Sequence, residues 1–331
     1  MSATAQIQAT NVSVSELEIE LVISGREDLA QDVVALTFAH PDGHPLPGWT
    51  PGAHIDLILD ASLTRQYSLC SSPADTSLWR IGVLRDPGSR GGSDFIHDRL
   101  HEGTSVLVRG PRNNFPLVSS PRYQFIAGGI GITPILPMIE FAQAAGAEWH
   151  LLYGGRRRDS MAFAGSLSSM GDQVAICPQD ETGLLELASV LGAPRDDTVV
   201  YCCGPEALLG AVEKACSTWP SGALHIERFS AKPVVDEPSG AALETFEVVC
   251  QRSGVTVTVP TGKSVLDVID EAGVSVLGSC YEGICGSCET AVLQGTPLHR
   301  DSVLTDEERE ANDVMMICVS RSCSERLVLD L

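Results

Sequence analysis

Positive charge is scarce in this chain. Lys and Arg number 22 against 43 Asp and Glu, for a net charge of −21. So acidic a surface excludes a role built on gripping nucleic acid or an anionic membrane. No apolar run is long enough to span a bilayer. Residues 1–20 are polar and lack the apolar stretch of a secretory signal. A cytoplasmic protein is therefore expected, and in that reducing compartment the 11 cysteines are not read as a disulfide framework. Two further absences matter. The G-x-G-x-x-G dinucleotide fingerprint does not occur. Only one C-x2-C pair is present, where zinc knuckles usually show two.

What is there is concentrated near the C-terminus. Cys280, Cys285 and Cys288 are spaced C-x4-C-x2-C, and 29 residues separate Cys288 from Cys318. That is the ligand spacing of a plant-type 2Fe–2S cluster, a one-electron carrier. Gly283 and Gly286 let the intervening loop take positive φ. A loop folded that tightly can aim backbone N–H groups at the cluster sulfurs. A structural zinc or buried free thiols are the alternatives, and Cys323 is the rival for the fourth ligand.

The remaining text divides into segments. Residues 1–17 have the composition of a loose tail. Residues 18–118 read as short strands broken by Pro and Gly, among them Val33–Phe38, His54–Leu59, Trp79–Leu84 and Ser105–Val108, which suggests an antiparallel β-barrel. Residues 119–231 alternate apolar strands with helical stretches, as a parallel α/β sheet does. Residues 232–244 have linker composition. Residues 245–331 form a third, compact α+β unit around the cysteines. The expected fold is thus multidomain.

Two patterns suggest ligand sites. In the strand Arg65-Gln-Tyr-Ser-Leu69, Arg65 and Tyr67 share one face and Ser68 points the other way. A guanidinium suits a phosphate, and Tyr67 can pack on a flat ring. The glycine-rich Gly88–Ser93 leads into a helical stretch, where the backbone at Gly91, Gly92 and Ser93 can bind a phosphate. An ordinary half-buried strand and a surface turn would account for the same residues. The second pattern is Ala127-Gly-Gly-Ile-Gly-Ile-Thr-Pro134, which follows a strand and opens a helix. Its glycines Gly128, Gly129 and Gly131 permit close approach of a pyrophosphate, and Pro134 suits the first helical turn. Cys203-Gly204-Pro205 ends a later strand, so both turns fall at strand C-termini, where open α/β sheets bind ligands. Arg156, Arg157 and Arg158 follow another strand and can attract a 2′-phosphate or form a solvated turn.

In this order the motifs resemble the phthalate dioxygenase reductase family, which includes the vanillate demethylase reductases. The matching text is Arg65–Cys70, Gly91–Ser93, Pro111–Leu117, Ala127–Pro134, His225–Phe229, the cysteine loop and Pro297–Asp301, spread from about residue 18 to the end. The resemblance implies a flavin barrel, a nicotinamide domain and a C-terminal β-grasp ferredoxin domain. It implies FMN rather than FAD, with its phosphate near Arg65 and Ser93, and the backbone of Gly82, Val83 and Leu84 along the ring. It places Thr133 near the reactive edge of the flavin, Cys203 near the nicotinamide, and Phe229 against the flavin where the nicotinamide arrives. NADH is the implied donor.

The expected function is an NADH-dependent reductase. Hydride passes to FMN, and single electrons pass through the cluster to a transiently bound Rieske-type terminal oxygenase. Tyr281, Glu282 and Ile284 would form the docking rim, beside the acidic helix at Asp306–Glu310. A monomer suffices, and none of His97, His101, His225 or His299 is assigned a catalytic proton transfer. The rival expectations are an FAD-dependent reductase of the same domain order, a non-enzymatic electron carrier and a zinc-stabilised dehydrogenase.

Overall fold

The computed structural model describes residues 17–60, 63–89, 91–231 and 245–331. Of the expected tail only Leu17 is among them, and the expected linker at 232–244 lies outside the described residues. The first unit contains β1 (Glu18–Ala30), β2 (Val33–Ala39), β3 (His54–Asp60), β4 (Leu63–Ser68), β5 (Trp79–Leu84), α1 (Gly92–Arg99) and β6 (Ser105–Arg112). Its strands run in the order β4-β3-β6-β1-β2-β5, all antiparallel. A bridge between Leu69 and Ile81 joins the two edges and closes the barrel. Leu21, Leu36, Ile55, Leu57, Trp79 and Val108 are fully buried at its centre. Truncating one such leucine to alanine typically costs about 2–5 kcal/mol.

The second unit alternates strand and helix. It comprises β7 (Arg122–Gly128), α2 (Ile135–Ala144), β8 (Glu148–Gly155), α3 (Ala164–Ser168), β9 (Val174–Pro178), α4 (Gln179–Thr182), α5 (Leu187–Leu191), β10 (Thr198–Cys203), α6 (Glu206–Ala215) and β11 (Leu224–Glu227). The sheet is parallel in the order β11-β10-β7-β8-β9. β7 is central and buried from Tyr123 to Gly128, as a strand covered on both faces must be. Alternate residues feed two cores. Phe125, Tyr153 and Cys203 go to one face, and Ile126, Leu152 and Cys202 to the other. The chain leaves β7 in one direction and returns to β10 on its other side, so a switch point lies between these two strands.

The third unit is a mixed sheet, β13-β12-β18-β14-β16, built from β12 (Phe246–Cys250), β13 (Val255–Val259), β14 (Glu289–Gln294), β16 (Val314–Met316) and β18 (Arg326–Leu329). β12 and β18 run parallel and the other pairs antiparallel. A small pair, β15 (Pro297–Leu298) and β17 (Arg321–Ser322), sits apart. α7 (Val265–Glu271) and α8 (Asp306–Ala311) each begin with a capping box, Ser264 with Asp267 and Thr305 with Glu308. In β12, Phe246, Val248 and Cys250 alternate inward, the sign of a sheet with one dry face. This is the expected β-grasp arrangement.

Candidate functional site

Three clusters of the expected residues lie around β4. At its first end, Arg65 lies over the start of α1. A Cβ placed on Gly92 would stand 2.5 Å from Arg65 Cγ and 2.7 Å from its Nε. α1 starts at Gly92, two residues earlier than the sequence suggested, and Gly91 precedes it at φ 89°. The guanidinium and the first amides of the helix therefore share one corner. Ser93 is buried there, and its hydroxyl accepts from the Asp86 amide at 3.1 Å, leaving its own proton to donate. Tyr67 packs on the barrel core, and burial raises its phenol well above the ordinary range. A cationic fork beside a side-chain-free helix start fits a phosphate monoester.

Gly82 on β5 meets the second unit directly. A Cβ there would come within 2.9 Å of Thr133 Cγ2. Val83 buries its side chain in the barrel and its carbonyl takes a 3.0 Å bond with His97 Nε2, which gives that histidine a structural role. Leu84 is exposed. The glycine turn folds as a short 3-10 segment, Gly129–Ile132, ahead of α2, and Pro134 caps that helix instead of opening it. Thr133 is buried, with its hydroxyl on the Ile130 carbonyl at 3.0 Å.

The turn packs backbone to backbone on Cys203-Gly204-Pro205. A Cβ on Gly131 would be 2.3 Å from the Cys203 carbonyl oxygen, and one on Gly128 2.7 Å from Pro205 Cδ. These glycines thus have a packing reason of their own. Gly129 differs: it sits at φ 54° and faces open space. Phe229 is 41% exposed just beyond β11, so it is not core packing.

Glu227 lies inside the His225–Phe229 stretch, where no role is assigned to it from sequence. Its carboxylate receives Ser68 Oγ from the barrel at 3.5 Å and Cys203 Sγ from the sheet at 3.8 Å. Part of the residue is exposed, yet the carboxylate is enclosed, and desolvation raises it to about 8. Burial likewise pushes the Cys203 thiol up. A glutamate at the C-terminal end of an edge strand, two residues before an exposed aromatic, was the available signal.

In the third cluster Cys280, Cys285, Cys288 and Cys318 are all buried, whereas Cys323 is exposed. Hydrogen bonds from the Cys285 and Cys318 thiols and from the Ile284 and Glu282 amides draw the Cys280 thiol down, and the same contacts push Cys285 and Cys318 up. Those amides lie 3.5 and 3.3 Å from the Cys280 sulfur. Cys288 is lowered in turn by Cys318. Gly283 and Gly286 take φ of 68° and 74°. The loop is buttressed by Asp301, which accepts from the Val303 and Leu304 amides and backs onto Gly283. His299 bonds Asn312 at 3.2 Å within the same buttress. Four converging thiols with amides aimed at one of them fit an iron–sulfur cluster.

Residues 248–323 match the family of 2Fe-2S iron-sulfur cluster binding domains. The chain is 42% identical over 304 residues to the phenoxybenzoate dioxygenase subunit beta of Ectopseudomonas oleovorans, covering 91% of this chain and 94% of that one. It is 41% identical over 320 residues to a vanillate O-demethylase oxidoreductase of Pseudomonas sp. (strain HR199 / DSM 7063), covering 95% and 100%. The structure of phthalate dioxygenase reductase, described as modular for electron transfer from pyridine nucleotides to 2Fe–2S, superposes with TM-score 0.68 at 37% identity over 96% of this chain and 98% of that one. An intact type IV self-sufficient cytochrome P450 monooxygenase matches with TM-score 0.88 and 42% identity over 98% of this chain. The present chain spans 43% of that longer polypeptide. The chain belongs to the phthalate dioxygenase reductase-like family and is an oxidoreductase with a ferredoxin-type C-terminal domain. Among the described residues no helix is long and apolar enough to cross a membrane.

Proposed function

We propose that this chain is the NADH-dependent reductase of a two-component Rieske oxygenase, using FMN and delivering single electrons through its 2Fe–2S cluster. One observation carries the reading. The six-residue strand β4 faces all three clusters: Arg65 toward the α1 corner, Ser68 toward Glu227 and Cys203, and Gln66 toward Ser279 beside Cys280. When bound, the flavin accepts a hydride and the cluster carries one electron at a time.

The chain's own residues have these parts. Arg65, with the backbone of Gly91, Gly92 and Ser93, holds the flavin phosphate. Tyr67 and the backbone of Gly82, Val83 and Leu84 line the ring. The single compact corner favours the monophosphate FMN over FAD. Gly128, Gly129, Gly131, Pro134, Gly204 and Pro205 bind the dinucleotide at the switch point. Thr133, Cys203 and Phe229 orient the nicotinamide over the flavin, where geometry supplies most of the rate. Cys280, Cys285, Cys288 and Cys318 hold the cluster. NADH is favoured over NADPH because Arg157 pairs with Asp159 at 2.8 Å and Arg158 with Glu181 at 2.6 Å.

The acceptor docks transiently on the rim around Tyr281, which is 57% exposed, with the acidic α8 steering a basic partner. The protein works as a cytoplasmic monomer, with no nucleic-acid or membrane partner. A second acceptor is favoured by the P450 likeness, namely a haem centre. The test is anaerobic reduction by NADH of the flavin-identified holoprotein, followed by mixing with Rieske oxygenases and with P450 haem domains. FAD in place of FMN, or no transfer to either acceptor, overturns the corresponding part.

A further inference from the structure

The cluster loop is tied to the barrel by a closed polar ring. Asp56, on β3, is fully buried. Its Oδ2 accepts from Ser279 Oγ at 2.6 Å. Its Oδ1 accepts from Gln66 Nε2 at 3.1 Å and from Arg112 at 2.5 Å. Gln66 Nε2 also donates to Ser279 Oγ at 2.7 Å, which closes the ring. On the other flank Asn114 Nδ2 donates to the Cys285 carbonyl at 2.8 Å, and Gly286 leaves room for it. Ser279 precedes one expected ligand and Cys285 is another, so both sides of the loop are gripped.

Burying a carboxylate is unfavourable unless it is paired and hydrogen-bonded. An apolar contact would hold two domains together but let them slide. Directional bonds on a buried charge fix the register instead. Gln66 is the unassigned position of the Arg-x-Tyr-Ser strand, between two residues given to the flavin. A shift of the loop would break the ring, and a shift of β4 would break it equally.

We infer that Asp56, Gln66 and Ser279, with Asn114, are positioning residues that lock the cluster loop onto the flavin strand and so set the rate of electron transfer between the two redox sites. The inference rests on the proposed flavin-to-cluster route. Each hydride brings two electrons and one proton equivalent. The electrons would leave singly: the first would reduce one ferric iron of the cluster, the second would follow once the external acceptor has taken the first, and the proton would go to solvent.

The test uses holoprotein carrying Ser279→Ala, Ser279→Thr or Asn114→Ala, since Asp56→Asn strands the Arg112 charge and risks the fold. Iron, sulfide and flavin contents are matched first. Stopped-flow reduction by NADH then resolves flavin reduction from cluster reduction. Ser279→Ala should slow cluster reduction at least tenfold with flavin reduction within twofold of the parent. Asn114→Ala should slow it severalfold, and Ser279→Thr should restore it to within threefold. Hydrogen exchange at the amides of 279–286 should rise at least tenfold in Ser279→Ala and not in Ser279→Thr. Cluster reduction and exchange equal to the parent's in Ser279→Ala overturn the inference alone. A parent whose flavin is reduced while its cluster never is overturns the route, and the inference with it.

Discussion

The two junctions of the barrel differ in material. Against the parallel sheet the barrel sets Gly82, without a side chain, on Thr133 and points Ser68 at the Glu227 carboxylate, while within the sheet unit Gly128 and Gly131 pack on the Cys203–Pro205 turn. Against the cluster loop, contact is made by side chains, with Asp56, Gln66 and Asn114 reaching it and Arg112 backing Asp56. The carboxyls differ as well. Glu227 meets a hydroxyl and a thiol, whereas Asp56 has a guanidinium on it. The contrast follows the chemistry proposed for each side. Hydride transfer needs two rings in contact, so at Gly82 that junction presents backbone alone. An electron tunnels, so the other junction can be filled with protein and held rigid.

The largest effect that would sharpen this contrast is loss of one cluster ligand. Cys285→Ser should abolish cluster-dependent cytochrome c reduction while NADH-driven flavin reduction stays within about threefold. Equal loss of both activities would mean that the two junctions are not separable. Cys323→Ser is the control: exposed and apart from the other four thiols, it should retain full iron content.

Next comes the flavin corner. Arg65→Ala removes a charge-assisted contact of the kind worth about 1.5–3 kcal/mol, and flavin affinity should fall roughly ten- to a hundredfold. Flavin release on dilution measures it. Unchanged retention would remove the phosphate from this corner.

Much of this was readable beforehand, and the failures have physical causes. Cys280 to Cys318 were legible because ligand spacing is local and chemically restrictive. β2, β3 and β5 were legible as short apolar segments between Pro and Gly, and β7 from the apolar residues ahead of the glycine turn. The start of α1 falls inside the glycine-rich stretch because glycines at 91 and 92 carry no helical signal, yet Gly92 is where Arg65 needs an empty position. Asp56, Gln66 and Ser279 could not be found in the text. They are separated by up to 223 residues, and each alone is an ordinary polar residue in a strand or loop.

A smaller effect tests the glycine packing within the sheet unit. Gly131→Ala sets a Cβ 2.3 Å from the Cys203 carbonyl oxygen, and backbone cannot yield as a side-chain tip does. Overpacking of this kind costs about 1–3 kcal/mol. The turn should part from Cys203, lowering the thermal midpoint and raising KM for NADH more than it lowers kcat. A variant with parental stability and KM would show that the turns are not in register contact.

A pH series separates the two carboxyls. Desolvation holds Glu227 at about 8 against an ordinary 4.5. Between those values the folded protein keeps a proton that the unfolded chain has released. Stability therefore falls as pH rises through this window, by at most about 1.4 kcal/mol per unit, and levels off above it. Below the window both states are protonated and the cost vanishes. Glu227→Gln carries no such proton, so its thermal midpoint should match the parent's near pH 4.5 and exceed it increasingly toward pH 8. Thermal midpoints measured across that range decide the point. Parallel curves for the two proteins would mean that Glu227 is solvated in the folded state, and the hydride junction would then be wetter than its geometry shows.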